Sequence, residues 1–422
     1  MKVLVIGSGG REHALCWKLA ASPRIRKLYC APGNDGIAQI AECLPISVDH
    51  SEELCVAAKR LQIDLVVIGP DDCLANGLSD VLRAEGLAVF GPSQAAAQLE
   101  WSKAYAKYFM QKYHLPTAAW EVFTDADSAK EYLKRSHYPT VIKASGLALG
   151  KGVVIAATFA EAEEAIDEMM NQHRFGKAGE TIVIEEFLTG REFSLLAFCD
   201  GQTLQIMPPV EDHKQVFDGD LGPNTGGMGT VSPLPYLSWD EAEEIRETIL
   251  QPVLDGMRME GTPFQGALFT GFMLTQEGPK ILEFNARFGD PETQSLMLLL
   301  ESDILDIFLA CCKGTLSQEK IIWKKQAAAC VLLASPGYPG PYPKGLPIQG
   351  LDTLPEDIIV FHAGTKIDQG EWITHGGRVL GVSATGPDLP STLHRIYHAI
   401  EGISFSGMHF RKDIGKRKEF SK

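Results

Sequence analysis

Short runs of apolar residues recur along the first hundred residues of the chain, at 3–6, 65–68 and 87–90. The segments between these runs carry apolar residues at the spacing of one helix face. Strands that are apolar throughout and alternate with helices are typical of a parallel sheet buried on both faces. The pattern predicts an α/β domain over residues 1–101.

The pattern changes after residue 101. Residues 117–190 show a strand, a glycine loop, a second strand, a helix and a third strand. Later segments include a helix near 239–259, two strand-like segments at 267–276 and 279–290, and a leucine-rich stretch at 295–312 that predicts one helix. This order predicts a second, α+β domain over 102–325.

The stretch SPGYPGPYPKGLP at 335–347 contains five prolines and three glycines, so we expect no helix or strand there. It lies in or before a last domain, for which we expect residues 326–422. That domain ends in a predicted helix at 389–400 and a basic tail.

Composition limits the possible partners. Hydrophobic residues make up 45% of the chain, and the formal net charge is −15. Such a charge repels nucleic acid and anionic lipid over most of the surface, so any bound phosphate needs a local basic cluster. No apolar run is long enough to span a bilayer and no signal peptide is evident, so we expect a cytoplasmic protein. The nine cysteines are scattered without a C-x-x-C pair and are expected to be reduced.

The first turn, GSGG at 7–10, joins a strand to a helix and predicts an anion site. A nicotinamide dehydrogenase would carry a third glycine and an acidic residue after the second strand. Here Glu12 takes the place of that glycine, and LYCAPGN at 28–34 lacks the acid. These departures disfavour a dinucleotide.

The segment KASGLALGKGVVI at 143–155 places Gly146, Gly150 and Gly152 between two strands, with Lys143 and Lys151 alongside. Backbone N–H groups of such a flap can cover phosphate oxygens, while the lysines supply positive charge. The spacing is not that of a P-loop. A simple hairpin turn is the alternative.

The segment TIVIEEFLTGREFS at 181–194 carries Glu185, Glu186 and Glu192 at a strand end. The backbone of such a strand can present a donor and an acceptor to adenine, with carboxylates for its amine and for the ribose. A solvated acidic strand end is the alternative.

The segment ILEFNARFGDPETQ at 281–294 carries the third candidate site. Because side chains alternate along a strand, Glu283 and Asn285 share a face that Arg287 continues. Two oxygen ligands suit Mg²⁺, and a nearby arginine can neutralise charge on a moving phosphoryl group. A surface strand could also carry these residues by chance.

The chain resembles the ATP-grasp ligases, because it carries in order Lys103, Lys143 with its flap, EEFL and E-x-N-x-R. Within them, the whole chain resembles the glycinamide ribonucleotide synthetase family, through GSGGREHAL, PGNDG, DHK before DGDLGPNTGGMG, EFNARFGDPETQ, GGRVLGV and MHFRKDIG. The resemblance implies an N-terminal parallel-sheet (pre-ATP-grasp) domain, a two-lobed α+β ATP-grasp domain whose lobe at 117–190 is a mobile lid, and a small, mainly β C-terminal domain.

The resemblance also implies a reaction of purine biosynthesis. ATP would phosphorylate the carboxylate of glycine, and 5-phosphoribosylamine would attack the glycyl phosphate, giving glycinamide ribonucleotide, ADP and phosphate. Mg²⁺ or Mn²⁺ would be required, and a monomer is expected. The implied residues for the metal are Glu283 and Asn285, the implied catalytic residue is Arg287, and the implied ATP-binding residues are Lys103, Lys143, Gly146, Gly150, Lys151, Gly152, Glu185, Glu186, Phe187, Leu188 and Glu192.

The same resemblance implies where the other substrates bind. The phosphate of phosphoribosylamine is expected near Gly9 and Gly10, with Glu12 beside it. The remaining expected substrate contacts are Asp71, Asp212, Lys214, Asn224, Thr225, Gly226, Gly227 and Asp290.

Three positions depart from the family pattern. Ser145 stands where an aspartate is usual and Asp71 where a glutamate is usual. Gly271 occupies the place of an additional acidic metal ligand. The way a second metal ion would be held therefore stays open.

Two alternatives remain at this point. Another ATP-grasp enzyme, such as a biotin-dependent carboxylase, a purine carboxylase or a formate-using transformylase, would share the nucleotide residues but lack DHK, GPNTGGMG and RFGDPETQ. A non-catalytic nucleotide-binding module would not need the complete set of Lys, Glu, Asn and Arg.

Overall fold

The N-terminal part of the chain folds into the parallel α/β sheet that its apolar runs predict. The computed structural model describes residues 1–148 and 152–416. Within this first part the elements are β1 (Lys2–Gly7), α1 (Gly10–Ala20), β2 (Lys27–Pro32), β3 (Glu42–Cys43), α2 (Ser51–Leu61), β4 (Leu65–Ile68), α3 (Asp71–Ala75), α4 (Leu78–Ala84) and β5 (Ala88–Phe90). The five strands lie in the order β3-β2-β1-β4-β5, and all neighbours are parallel. The turns at the carboxyl ends of β1 and β4 therefore meet at one edge of the sheet.

The next part of the chain contains two helices and a four-stranded antiparallel sheet, which we call the lid sheet. Its elements are α5 (Gln98–Trp101), α6 (Lys103–Lys112), β6 (Trp120–Phe123), α7 (Ala126–Leu133), β7 (Thr140–Ala144), β8 (Val153–Ala156), α8 (Phe159–Ile166) and β9 (Ile182–Glu186). The strand order is β6-β9-β7-β8. α7 and α8 cover one face of this sheet, where Leu133, Ile142 and Ile166 are buried. The opposite face is left to line a cleft.

The other lobe holds a second antiparallel sheet, with strand order β11-β10-β16-β17. The elements after the lid sheet are β10 (Arg191–Asp200), β11 (Leu204–Ile206), β12 (Glu211–Asp212), β13 (Gln215–Phe217), β14 (Leu221–Asn224), β15 (Gly229–Ser232), α9 (Trp239–Ile245), α10 (Gln251–Met259), β16 (Gln265–Thr275), β17 (Gly278–Asn285), α11 (Glu292–Leu299) and α12 (Ile304–Lys313). A π-helical turn, Arg246–Leu250, joins α9 to α10, so the predicted helix near 239–259 is present as one helical run.

The C-terminal part is mainly β, as the resemblance implies. Its elements are β18 (Ala327–Ala334), β19 (Ile359–His362), β20 (Thr365–Asp368), β21 (Glu371–Thr374), β22 (Arg378–Gly386) and α13 (Leu389–Ile400). The main sheet has the order β12-β15-β18-β22-β19, and β12 and β15 come from the preceding part of the chain. This shared sheet ties the glycine-rich segment around 222–229 to the last domain, and the boundary at 326 stays a prediction.

The single helix predicted over the leucine-rich stretch is wrong. The stretch forms α11 and α12, which are separated because Leu300 leaves helical geometry and pairs with Trp323 in an isolated β-bridge. The side chain of Asp303 then accepts a hydrogen bond from Leu305 N and caps the start of α12. The leucine pattern continues across the break, so the break depends on the pairing of Leu300 with Trp323, which lies outside the stretch.

The proline-rich stretch at 335–347 contains no helix or strand, as predicted. One of its two tyrosines contacts the glycine-rich segment: the Tyr338 hydroxyl accepts a hydrogen bond from Gly226 N at 3.2 Å. Residues 335–347 therefore support the glycine-rich segment that faces the cleft. No helix in the parts of the chain that the structure describes is long and apolar enough to cross a membrane.

Candidate active site

A cavity of about 500 Å³ lies between the lid sheet and the sheet that contains β16 and β17. Its walls contain residues from the N-terminal domain, the lid sheet, the second antiparallel sheet and the C-terminal domain. The sequence-predicted residues that line it are Asp71, Lys103, Lys143, Gly152, Glu185, Glu186, Phe187, Leu188, Glu192, Asp212, Lys214, Asn224, Thr225, Gly226, Glu283, Asn285, Arg287 and Asp290.

A few predicted residues fall elsewhere. Gly9, Gly10, Glu12, Gly146 and Gly227 do not contribute to the lining of this cavity. Gly150 and Lys151 of the predicted flap lie outside the described residues.

Lys103 is the first residue of α6 and faces the cleft from there. The start of this helix is fixed to the end of β7 by Ser145, whose hydroxyl accepts from Ala104 N at 3.0 Å and whose carbonyl accepts from Lys103 N at 2.9 Å. Burial lowers the pKa of Lys103, while Glu283 opposes that shift. The serine that departs from the family pattern thus has a structural role here, because it satisfies the open N–H groups of the helix.

Glu185 sits between two lysines at the base of the cleft. Its Oε2 lies 2.9 Å from Nζ of Lys107, and its Oε1 lies 2.9 Å from Nζ of Lys143. All three side chains are buried, and the Lys143 ammonium also donates to the Leu282 carbonyl at 3.0 Å. The predicted contact of the Glu185 carboxylate with adenine would compete with both ion pairs, so that role stays a prediction.

The end of β17 carries the candidate metal ligands and the candidate catalytic arginine. Nη2 of Arg287 donates to Oδ1 of Asn285 at 3.1 Å, as expected for side chains on one face. The same nitrogen lies 2.8 Å from Oε1 of Glu100, and Nη1 donates to the Phe288 carbonyl at 3.2 Å. Arg287 is therefore held from three sides.

Lys214 connects two carboxylates of the cleft. Its ammonium forms an ion pair with Glu192 and lies 3.9 Å from Oε1 of Glu283. Burial opposes ionisation of Glu283, but Lys214, Lys103 and Lys143 together lower its pKa. Glu283 is therefore an ionised carboxylate in a ring of cations, which is the state that a metal ligand requires.

The glycine-rich segment is fastened by an arginine from the last domain. Arg378, at the start of β22, donates to the carbonyls of Gly226 and, at 2.7 Å, Asp290. Gly227 has a φ of +110°, and a Cβ there would lie 2.6 Å from Oδ1 of Asp212. Burial, followed by the charge of Glu292, raises the pKa of Asp212.

The N-terminus of α1 already holds two carboxylates. Gly9 N donates to Oε2 of Glu12 at 2.6 Å, and Arg11 N donates to Oδ2 of Asp290 at 3.3 Å. The guanidinium of Arg11 lies 2.5 Å from Oε1 of Glu12 and reaches the wall of the cavity. A phosphate that used these two N–H groups would have to replace the carboxylates, so the predicted phosphate contact stays a prediction.

Sequence reasoning missed several charged residues of the cavity wall: Arg11, Glu100, Lys107, Glu292 and Arg378. A usable signal existed for Lys107, which lies one helical turn after Lys103, and for Glu100, which lies three residues before it. Arg378 belongs to the GGRVLGV motif of the resemblance, but its place in the cleft depends on the sheet that joins β22 to β15 through β18.

Comparison with protein families matches three family models in order. The N domain of phosphoribosylglycinamide synthetase matches residues 1–100, its ATP-grasp (A) domain residues 101–293, and its C domain residues 328–417. Together these models cover most of the chain.

Among curated relatives, the phosphoribosylamine–glycine ligase of Caldanaerobacter subterraneus subsp. tengcongensis is 47% identical over 98% of this chain and 99% of its own. The corresponding enzyme of Phenylobacterium zucineum is 48% identical over 99% of each chain. The trifunctional purine biosynthetic protein of Gallus gallus is 49% identical over 99% of this chain, which spans 42% of that protein.

Among solved structures, a phosphoribosylamine–glycine ligase from Thermotoga maritima has a TM-score of 0.85 and 35% identity, with 98% of this chain and 100% of that chain covered. A biotin carboxylase domain from Hydrogenobacter thermophilus has a TM-score of 0.76 at 17% identity, covering 97% of this chain and 91% of that chain. The second likeness concerns the fold alone.

Proposed function

The chain belongs to the phosphoribosylglycinamide synthetase family and ligates glycine to 5-phosphoribosylamine at the expense of ATP, and we propose that it does so in the cleft between Lys103 and Arg287. One observation carries this proposal. Lys103, Lys143, Lys214 and Arg287, which the sequence spreads over nearly two hundred residues, line one cavity together with Glu283. Such a cluster supplies the positive charge that transfer of a phosphoryl group requires.

The nucleotide would enter beside the lid sheet. Lys103 and Lys143 would meet the phosphates of ATP, with the flap that contains Gly146, Gly150, Lys151 and Gly152 above them. The carboxylate of Glu185 would accept from the adenine amine, the backbone of Glu186 and Leu188, on either side of Phe187, would meet the adenine edge, and Glu192 would hold the ribose. Supporting this, Gly152, Glu186, Phe187 and Leu188 lie on the cavity wall near the two lysines.

A divalent cation fits the end of β17. Glu283 is ionised, and Asn285, two residues further along the same strand, has an amide oxygen that accepts one hydrogen bond from Arg287 and keeps a second lone pair for a cation. No group of three or more His, Cys, Asp or Glu side chains within the described residues could hold a metal by itself. Mg²⁺ or Mn²⁺ bound by Glu283 and Asn285 would take its other ligands from water and phosphate and would neutralise charge there.

The reaction then needs two displacements. A carboxylate oxygen of glycine attacks the γ-phosphorus of ATP, the bond to the β-phosphate oxygen breaks, and ADP leaves. The amine of phosphoribosylamine attacks the carbonyl carbon of glycyl phosphate, loses a proton, and expels phosphate. Arg287 and the lysines would stabilise the charge that develops in both steps, so that positioning and electrostatics provide most of the rate.

The two acceptor substrates would occupy the end of the cleft opposite the nucleotide. The residues proposed to bind them line the same cavity: Asp71, Asp212, Lys214, Asn224, Thr225, Gly226 and Asp290. A Cβ at Gly227 would collide with Asp212. Gly9, Gly10 and Glu12 adjoin the cavity through Asp290, which contacts Arg11 N. The other ATP-grasp reactions are disfavoured, because all three domain models of phosphoribosylglycinamide synthetase match this chain and ligases of that kind are 47% and 48% identical to it over nearly its whole length.

The test is ADP release in the presence of ATP, Mg²⁺, glycine and freshly prepared phosphoribosylamine, with each component left out in turn. We expect release that needs all four components and a product with the mass of glycinamide ribonucleotide. Full activity with bicarbonate or formate in place of glycine would overturn the proposal. The monomeric state and the cytoplasmic location remain predictions, which sedimentation and cell fractionation can check.

A further inference from the structure

We propose that Glu100 is a positioning residue for the ligation, because it holds the guanidinium of Arg287 in the orientation that phosphoryl transfer uses. This inference rests on the proposed role of Arg287. The carboxylate of Glu100 lies at the cavity wall but within hydrogen-bond distance of protein groups, so its contribution would pass through the arginine.

The contacts of Glu100 join two neighbouring residues. Oε1 lies 2.8 Å from Nη2 of Arg287, and Oε2 accepts a hydrogen bond from Ala286 N at 2.7 Å. One carboxylate thus fixes both the side chain of residue 287 and the backbone just before it. Glu100 is 7% exposed, so water competes little for these contacts.

Glu100 also links this arginine to the nucleotide side of the cleft. It lies on α5, and Lys103 begins α6 only three residues later. The short segment from Glu100 to Lys103 therefore supplies both a phosphate-facing lysine and the anchor of the catalytic arginine. This short connection limits how far the two cations can move apart, which favours a preorganised site.

If Glu100 did not hold it, the guanidinium of Arg287 would be drawn towards other nearby carboxylates. Burial disfavours the charge of Arg287, but Glu100 first, then Asp71, Glu292 and Glu283, raise its pKa. Glu100 and Asn285 take both N–H groups of Nη2, whereas only one of the two N–H groups of Nη1 has a partner among the described residues, the Phe288 carbonyl. An oriented guanidinium therefore keeps one N–H group of Nη1 for a substrate oxygen.

The test is a double-mutant cycle of Glu100→Gln and Arg287→Ala, with kcat, KM and ATP affinity measured for each enzyme. Gln keeps an acceptor for Ala286 N but loses the charge that holds the arginine. We expect Glu100→Gln to lower kcat at least tenfold, with KM for ATP and for glycine within twofold. In the Arg287→Ala background the same change should alter kcat less than twofold.

Multiplicative losses, or a kcat within twofold of the unmodified enzyme for Glu100→Gln, would overturn the inference. Arg287→Ala with a tenth or more of the activity would instead overturn the proposed role of Arg287, so the two failures are distinguishable. If Glu100→Gln does not fold, Glu100→Asp, which keeps the charge at a shorter reach, enters the same cycle with the same criteria.

A matched control is available in Asp200, a buried carboxylate outside the cleft. It is 7% exposed and accepts hydrogen bonds from Thr203 N at 2.7 Å and Leu316 N at 3.0 Å. Asp200→Asn should lower the thermal midpoint while kcat stays within twofold. Equal loss of kcat in this control would assign the effect of Glu100 to general destabilisation and overturn the inference.

Discussion

The ammonium of Lys107 lies 2.9 Å from Oε2 of Glu185, and each of the two side chains is 2% exposed. Glu185 also forms an ion pair with Lys143, so one carboxylate faces two cations at the base of the cleft. Burial lowers the pKa of Lys107 to about 8; Glu185 opposes this shift and Lys143 adds to it. The charge of this cluster therefore changes within an accessible pH range.

The first prediction concerns ATP affinity against pH. Lys107 is protonated below a pH of about 8 and loses its charge above it, so the positive potential near the ATP phosphates falls. We expect the dissociation constant for ATP to rise three- to tenfold between pH 7 and pH 9, and Lys107→Met to remove this rise. Lys59→Met, at an exposed lysine, is the control. Equal pH profiles for Lys107→Met and the unmodified enzyme would contradict the prediction.

The second prediction concerns Arg287→Ala. Loss of a fixed donor at a reacting oxyanion costs roughly 3 to 4 kcal/mol of transition-state stabilisation. Turnover should therefore fall more than a hundredfold, while equilibrium binding of ATP stays within threefold. Arg135→Ala, at a side chain that is 84% exposed, provides the comparison and should retain full turnover. Retention of a tenth of the activity by Arg287→Ala would remove this residue from the mechanism.

The third prediction concerns the metal. Glu283→Gln keeps the shape of the side chain but removes the charge that a divalent cation needs. We expect at least a tenfold increase in the Mg²⁺ concentration for half-maximal rate, and loss of the Mn²⁺ signal in electron paramagnetic resonance of the ATP complex. Glu277→Gln, at the exposed turn before β17, should leave both unchanged. A normal Mn²⁺ signal in Glu283→Gln would exclude it as a ligand.

The fourth prediction compares two glycines with positive φ. A Cβ at Gly227 (φ +110°) would lie 2.5 Å from Cδ of Pro291, whereas a Cβ at Gly261 (φ +77°) would meet nothing within 4 Å. Ala at Gly261, near the left-handed helical region, carries backbone strain of about 1 to 2 kcal/mol, and Ala at Gly227 lies further from any favoured region. Only Gly227→Ala should also lower kcat/KM for glycine, by tenfold or more, because it displaces Asp212. Equal kinetics in the two variants would show that Gly227 does not shape the substrate side.

The fifth prediction concerns Gly9→Val. A Cβ at residue 9 would lie 3.0 Å from Oε2 of Glu12 and 3.2 Å from Oδ2 of Asp290, so the larger side chain must shift both carboxylates. We expect KM for phosphoribosylamine to rise at least fivefold, with KM for ATP within twofold. A parallel rise in both constants would mean that the change disturbs the whole fold and not one substrate subsite.

Local sequence determined much of this protein. The apolar runs at 3–6, 65–68 and 87–90 predict strands of the first sheet correctly, because burial on both faces needs uninterrupted apolar side chains. Strand alternation places Glu283 and Asn285 on one face of β17, and Arg287, just beyond the strand, donates a hydrogen bond to Asn285. Both are short-range properties of the backbone, which a single segment can encode.

Only the tertiary structure decided the contacts that join distant segments. Glu100 and Ala286 are 186 positions apart along the chain, and they meet because α5 packs against the end of β17. Arg378 reaches Gly226 because β15 and β22 flank the same strand, β18. The leucine-rich helix breaks for a comparable reason, since Leu300 pairs with Trp323. Periodicity reports which face of an element is buried, but its partner depends on how all the layers pack.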